Sequence, residues 1–367
     1  MSLIRSFSGI RPKVKFAKQV TTPNISYLNN FKKNNKLNFL NILYNSKIHK
    51  AKKMLKKLEQ KKIIIKDTVN NFYLYKITYN KKSLFGIVGK INLNNYDDKK
   101  ILGHEETFID RIKIRKEQLL KFNTQISPIF TAYKVSNKSL LNLKKLFKST
   151  PNYNLQTKDK CNHKLWVISN KDKKKSIENY LTKIKKIYIC DGHHRIQAML
   201  KSKKKIAPMI IAFPEKQVNI LDYNRVVKTN LSVEKIKKTI FRYFSIKRSN
   251  KYKNLKKGEI EMYLNKQWYL IKLLKKSKEL DVTILKKLIL DKIIKNKNDV
   301  KFISGIKGKK TLETLVKSRK FDLAFKMYPT NISQVITFAE IKRFMPPKST
   351  WFHPKPLDGL ISSRIIS

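Results

Sequence analysis

Three features of the sequence predict an α/β or α+β fold, a mixed sheet with surrounding helices. Short runs rich in β-branched and aromatic residues, such as Phe72–Tyr79 and Ile187–Cys190, read as strands. Longer stretches with apolar residues at helical spacing, such as Ile48–Glu59 and Ile109–Phe122, are interleaved with them along the whole chain. A hydrophobic content of 41% over 367 residues is enough to bury a large core divided between two lobes.

The elements follow in order. The first 30 residues hold Pro12 and Pro23 and little periodicity, so they read as an extended entry segment with one short strand around Val14–Val20. A helix is expected at Ile48–Glu59, where Ala51, Met54, Leu55 and Leu58 share a face. Phe72–Tyr79 and Leu84–Val88, the second closed by Gly89, read as adjacent strands that begin a sheet. Ile109–Phe122 is a helix, and Pro128–Tyr133 and Leu165–Ile168 are further strands. Ile187–Cys190 is a short buried strand, Asp191–Arg195 a turn, and Ile196–Lys201 opens a helix through the good formers Gln197, Ala198, Met199 and Leu200. Met209–Phe213 is a strand and Val233–Tyr243 a helix. The last third repeats the mixture, with strands at Trp268–Ile271 and Phe321–Tyr328 and helices at Thr283–Ile294 and Ile332–Arg343. No internal repeat and no Gly/Ser linker is visible. The expected division is a core over residues 1–240 and a C-terminal α/β lobe over 241–367, packed on the core and ending in the Pro346–Leu360 tail.

The formal charge is +59, from 84 Lys and Arg against 25 Asp and Glu, a balance that ordinarily suggests a polyanionic partner such as nucleic acid. Here 73 of the basic residues are Lys and only 11 are Arg, and they are spread from Lys13 to Lys355. Nucleic-acid readers favour Arg for bidentate and stacked contacts and gather their charge on one face. The surplus of Lys, Asn, Ile and Tyr reads instead as codon drift in an AT-rich genome, and the lysines as a solvated surface. Cys161 and Cys190 form no Cys-x-x-Cys pair and have no histidine at zinc-finger spacing, so they read as reduced thiols. No apolar run is long enough to span a bilayer, and the start Met1-Ser2-Leu3-Ile4-Arg5 has no hydrophobic leader, so the cytoplasm is the expected compartment.

In a chain with so strong a compositional bias, the residues that the bias makes rare should survive where chemistry or backbone geometry needs them. Of six histidines, His104, His163, His193, His194 and His353 fall in compact motif-like stretches, and only His49 lies in a lysine-rich helix. Of nine glycines, Gly103 precedes His104-Glu105-Glu106-Thr107, and Gly192 sits inside Asp191-Gly192-His193-His194-Arg195. Arg111, Arg115, Arg195 and Arg225 lie in or beside the same blocks.

Asp191–Arg195 places a flexible glycine and a row of backbone N–H groups at a helix N-terminus, where the macrodipole favours an anion. Arg195 is suited to grip phosphate oxygens through two parallel hydrogen bonds. His193 and His194 are able to donate to the same phosphate, move a proton, or ligate a metal with Asp191. The plainer alternative is that Asp191 caps the helix, Gly192 serves the turn and one histidine is simply buried. His104-Glu105-Glu106-Thr107 adds a histidine and two carboxylates before a helix, suited to a general base or to metal coordination, or else to a helix start capped by Thr107. Arg225, in Tyr223–Val227, is a weaker candidate for a second anion contact. Met345–Lys355, rich in Pro and carrying two lysines, either closes over a site or ties the C-terminus down.

In this order the motifs resemble the domain-of-unknown-function family 1015, over nearly the whole chain. The resemblance rests on an early Pro-containing segment, His104–Thr107 with Arg111 in the helix that follows, Pro128-Ile129-Phe130 and Leu165-Trp166. It continues with the Asp-Gly-His-His-Arg signature at Asp191–Arg195, Tyr223–Val227, and Pro346–Leu360. One departure is Ile196, where the family pattern carries an aromatic residue. The signature also resembles the phosphate-binding loop of the ParB/sulfiredoxin-like superfamily, which includes nucleotide-hydrolysing partition proteins and free-serine kinases.

The resemblance implies a ParB/sulfiredoxin-like core plus a C-terminal α/β lobe. Gly192, His193, His194 and Arg195 would bind phosphate or nucleotide, with Arg225 as a further contact. His104, Glu105, Asp191 and His193 would be the catalytic group, and Glu105, Glu106 and Asp191 would hold a magnesium ion. The leading expectation is a phosphotransferase or phosphohydrolase that uses ATP or ADP and a small metabolite, with serine or phosphoserine favoured by the family's tendency to neighbour serine-biosynthesis genes. Two alternatives are carried: a nucleotide-gated DNA-binding protein, against which no helix-turn-helix stands out, and a divalent-metal hydrolase built from His104, Glu105, Asp191, His193 and His194.

Overall fold

The computed structural model describes residues 2–23, 37–43, 48–97, 99–202, 204, 206–249 and 255–365. The chain divides into two compact units: the first comprises Met1–Val218, Ile336–Phe344 and Pro354–Ser367, the second Asn219–Val335 and Met345–His353.

The first unit is built on a nine-stranded mixed sheet. Its strands are β1 (Ile4–Arg5), β2 (Phe72–Tyr79), β3 (Lys82–Ile91), β4 (Ile101–Leu102), β5 (Ile129–Tyr133), β6 (Tyr153–Gln156), β7 (Asn162–Ile168), β8 (Ile187–Asp191) and β9 (Met209–Pro214). They lie in the order β4-β8-β5-β9-β3-β2-β7-β6, with β1 paired to β3. β4–β8 and β5–β9 run parallel, and the remaining pairs antiparallel. β5 and β9 are buried at every position, which matches their continuous apolar runs. The helices of this unit include α1 (Ile48–Gln60), α2 (Ile109–Phe122), α3 (Asn137–Lys145), α4 (Lys171–Leu181) and α5 (His193–Leu200). Ser136 and Asn170 cap α3 and α4 by accepting from backbone N–H groups three residues on. The shared core takes Ile112 and Leu119 from α2, Ile177 and Leu181 from α4, and Ile196 and Met199 from α5.

The second unit carries a six-stranded sheet of β10 (Tyr223–Val227), β11 (Phe244–Arg248), β12 (Glu259–Leu264), β13 (Gln267–Leu273), β14 (Val300–Ser304) and β15 (Leu323–Lys326). The order is β11-β13-β12-β15-β10-β14, antiparallel throughout. Helices α6 (Val233–Phe241) and α7 (Gly308–Lys317) belong to it. The mixture of sheets and helices is the α/β class expected.

Most expected elements occur within a few residues of their expected limits. The strand expected around Val14–Val20 is instead a 3-10 turn at Val14–Phe16 running into a short helix at Ala17–Val20. Ala17 and Val20 are fully buried, a three-residue spacing that a helix meets and a strand does not. The extended reading of the entry segment also covers residues 24–30, which lie outside the described residues. Thr283–Ile294 is helical but contains a π-helical turn at Lys286–Leu290. The division at residue 240 moves to 218/219, because β10 exchanges its backbone hydrogen bonds with β14 and β15 and so joins the second sheet. The tail does not stay with the C-terminal lobe as a whole, since Pro354–Ser367 belongs to the first unit.

Candidate functional site

β8 ends at Asp191, Gly192 turns the chain, and α5 begins at once with His193. The expected five-residue turn is therefore a single residue, and His193, His194 and Arg195 form the first turn of the helix. Gly192 is the N-cap and takes φ 108°, a conformation that L side chains rarely adopt. A Cβ there would lie 3.0–3.1 Å from the Arg195 guanidinium. Asp191 precedes the cap and does not occupy it, so the plain helix-cap reading of its carboxylate is not what the chain builds. Thr107 is likewise not the N-cap of α2; Phe108 is.

Arg195 folds back over the turn. Nη1 donates to the carbonyls of Ser127, at 2.9 Å, and Pro128, at 3.3 Å, and Nη2 stands 3.6 Å from Asp191 Oδ2. The fork expected to grip phosphate thus has one arm on backbone carbonyls and the other toward its own strand end. Asp191 Oδ1 accepts from Lys355 Nζ at 2.9 Å. Burial alone would push the Asp191 carboxyl upward, but the Lys355 and Arg195 charges outweigh it and hold the group well below the usual carboxylate range. Asp358, buried beside them, moves the other way: burial raises its carboxyl, against a hydrogen bond from Ser127 and the charges of Arg195 and Lys355.

The His104–Thr107 block does meet the signature. The backbone N–H of His104 donates to His193 Nε2 at 3.2 Å, and the two rings stand edge to face with centroids 4.6 Å apart. Gly103 makes this approach possible, since a Cβ there would come within 3.0 Å of His193 Cδ2. The His193 Nε2 lone pair being taken, the ring proton lies on Nδ1, which faces Glu105 Oε2 at 3.5 Å. His104 Nδ1 is 3.0 Å from the Ile189 carbonyl and donates to it, which fixes its tautomer as well. His194 Nε2 accepts from the Phe108 N–H at 3.2 Å, with its ring stacked on Phe108. Burial is the main reason that His104 is lowered to about 4 and His193 lies well below the ordinary histidine value, so both rings are neutral.

Two expectations change in consequence. The lone pairs of His193 and His194 are bound to backbone N–H groups, which removes them as ready metal ligands. Glu105, Glu106 and Asp191 do not converge closely enough to share an ion, and Glu106 is exposed. Arg225 belongs to the second unit and is buried there, donating to the carbonyls of Tyr223 and Lys348 with its guanidinium over the Phe302 ring. Burial lowers it to about 10. The residue absent from the expected set is Lys355; the Pro-rich tail signalled it, but nothing local linked it to Asp191.

Among solved structures, the chain is similar to a free serine kinase in complex with AMP, at 12% identity over 76% of this chain and 91% of that one, with a TM-score of 0.42. It is also similar to SbnI with a C-terminal truncation from Staphylococcus aureus, at 12% identity over 74% and 85%, with a TM-score of 0.44. A third is a conserved hypothetical protein from Pyrococcus furiosus, at 13% identity over 75% and 93%, with a TM-score of 0.39. No curated protein matches the chain. The model of the family described as protein of unknown function (DUF1015) matches residues 4–289, and the chain belongs to that family.

Proposed function

We propose that the first unit binds the phosphate groups of a nucleotide at the Gly192 turn and transfers or hydrolyses a phosphoryl group, with Glu105 as the general base. The observation that carries this reading is the junction itself: the first turn of α5 stands beside Arg195 and Lys355, with the Glu105 carboxylate 3.5 Å from the buried His193 ring. The first N–H groups of a helix have no acceptor inside the helix, and the dipole there favours negative charge.

In this reading the half-exposed Glu105 carboxylate, 3.5 Å from the neutral His193 ring, takes the proton of a hydroxyl or water nucleophile. Arg195 fixes Asp191 and the Ser127 loop, and Lys355 shares its charge between Asp191 and the phosphate. A magnesium ion would arrive with the nucleotide, held by its phosphates and water with at most one carboxylate, Glu105, and would neutralise developing charge. Serine or phosphoserine is the small-metabolite partner proposed.

The test is calorimetric titration with ATP, ADP and phosphoserine, with and without Mg²⁺, followed by assay of turnover. Lys355→Ala should weaken nucleotide binding, and Glu105→Gln should retain binding while turnover falls by about 10²–10⁴-fold. Unchanged turnover in folded Glu105→Gln would rule out its role as base, and no nucleotide binding by wild type would end the whole reading.

A further inference from the structure

The hairpin joining β6 to β7 brings together three side chains that the site above does not use. Cys161 and His163 stand two apart where the chain enters β7, so their side chains share a face, and Asp159 lies in the turn just before them. The turn is tight: the Thr157 N–H donates to the Cys161 carbonyl at 2.9 Å, and Lys160 takes φ 62°. The Thr157 hydroxyl donates to Asp159 Oδ1 and so turns that carboxylate back over the hairpin. A carboxylate oxygen of Asp159, Cys161 Sγ and a ring nitrogen of His163 all lie within 4.8 Å of one another. Among the described residues no other group of three or more His, Cys, Asp or Glu side chains is close enough to share an ion.

His163 supplies a second, independent observation. It is 1% exposed, and its Nδ1 is 3.0 Å from the Tyr75 hydroxyl, which itself accepts from the Leu357 N–H. Nε2 is buried and has no hydrogen-bond partner among the described residues. A buried polar atom without a partner is costly, and such an atom in a native structure calls for a ligand or other explanation. Lys158 and Lys160 in the same turn are exposed to solvent.

We infer that Asp159, Cys161 and His163 form a binding site for a divalent cation of the zinc class. Thiolate, imidazole and carboxylate suit such an ion, whereas Mg²⁺ and Ca²⁺ take shells of oxygen. Tyr75 holds Nδ1 and leaves Nε2 as the liganding nitrogen, with water completing a tetrahedral set. Burial first, and then Asp159, raise the Cys161 thiol to about 12, so the free site carries S–H. Binding forms the sulfur–metal bond, breaks S–H and releases that proton to solvent, with no change of oxidation state. The imidazole is lowered to about 4, chiefly by burial, and is neutral as a ligand must be.

The experiment is a titration of the chelator-treated whole protein with Co²⁺ and then Zn²⁺. The expected result is one Co²⁺ per chain, with tetrahedral visible bands and a near-ultraviolet thiolate-to-cobalt band, both displaced by Zn²⁺. Cys161→Ser should abolish the thiolate band, and Cys190→Ser should leave it intact. Absence of the band in wild type, its survival in Cys161→Ser, or its loss in a folded Cys190→Ser would overturn the site. Should Cys161→Ser fail to fold, Asp159→Asn on the half-exposed turn decides instead: weakened Co²⁺ binding supports the site, and unchanged binding refutes it.

Discussion

Asp191 Oδ1 and Lys355 Nζ meet at 2.9 Å across 164 positions of sequence, so the strand end that carries the signature is completed by the tail of the chain. Two consequences follow for the carboxylate. It stays ionised well into acid, and it positions an ammonium beside the first turn of α5.

Removing Lys355 should therefore make stability less sensitive to acid. A carboxyl whose folded pKa is depressed contributes stability above its unfolded pKa of about 4, and loses it as the pH falls toward the folded value. The pair is partly exposed, which brings its contribution to about 1 kcal/mol. In urea unfolding, the gap between wild type and Lys355→Ala should be largest near neutrality and should close between about pH 4 and pH 2. A gap that stays constant through that window would show that Asp191 owes none of its acidity to Lys355.

His104 acts in the opposite sense, because it is buried neutral. Its pKa is lowered to about 4 in the folded chain and returns to about 6.5 on unfolding, so the unfolded state binds the extra proton in that window. Stability should then fall as the pH drops from about 6.5 to 4, by on the order of 3 kcal/mol from this group. His104→Asn cannot titrate and should flatten the slope of unfolding free energy against pH by up to one proton, with His163 and His193 supplying the rest. An unchanged slope in a folded variant would contradict the buried neutral ring.

Gly192→Ala should be destabilised by about 1–2 kcal/mol from the left-handed backbone alone. The new methyl would also press on the Arg195 guanidinium and disturb its bonds to Ser127 and Pro128. Thermal unfolding measures the first effect and nucleotide titration the second. A melting temperature equal to wild type would mean that the turn relaxes to another conformation.

The hairpin between β2 and β3 offers a stabilising change. Asn80 and Lys81 both have positive φ, 45° and 63°, with Tyr79 opposite Lys82, the pattern of a two-residue type I′ turn. Lys81→Gly replaces the strained second residue with the one this turn prefers. It should raise stability by about 0.5 kcal/mol, read as a higher urea midpoint at unchanged m value.

What the sequence determined by itself is what depends on near neighbours. The strand–turn–helix at Ile187–Leu200 was legible because burial of a short apolar run and the start of a helix are properties of a dozen consecutive residues. Scarcity of His and Gly in a lysine-rich chain located the His104 and Asp191 blocks, and the structure joins them through the His104 N–H and His193 Nε2. The Val14–Val20 segment was misread because it is too short for alternation and helical spacing to be told apart until burial of Ala17 and Val20 is known.

Tertiary structure alone decided how each polar atom is used. Whether His194 offers a lone pair depends on where Phe108 N–H points, and whether Arg195 reaches outward depends on the Ser127 and Pro128 carbonyls. Lys355 reached Asp191 only because Pro354–Ser367 returns to the first unit, and Arg225 went to the second because β10 pairs there. The physical reason is one of range. Propensity and hydrophobic period act over a few residues, whereas hydrogen-bond partners and burial, which set protonation and reactivity, come from chain segments far away in sequence, from 67 residues for Arg195 and Pro128 to 164 for Asp191 and Lys355.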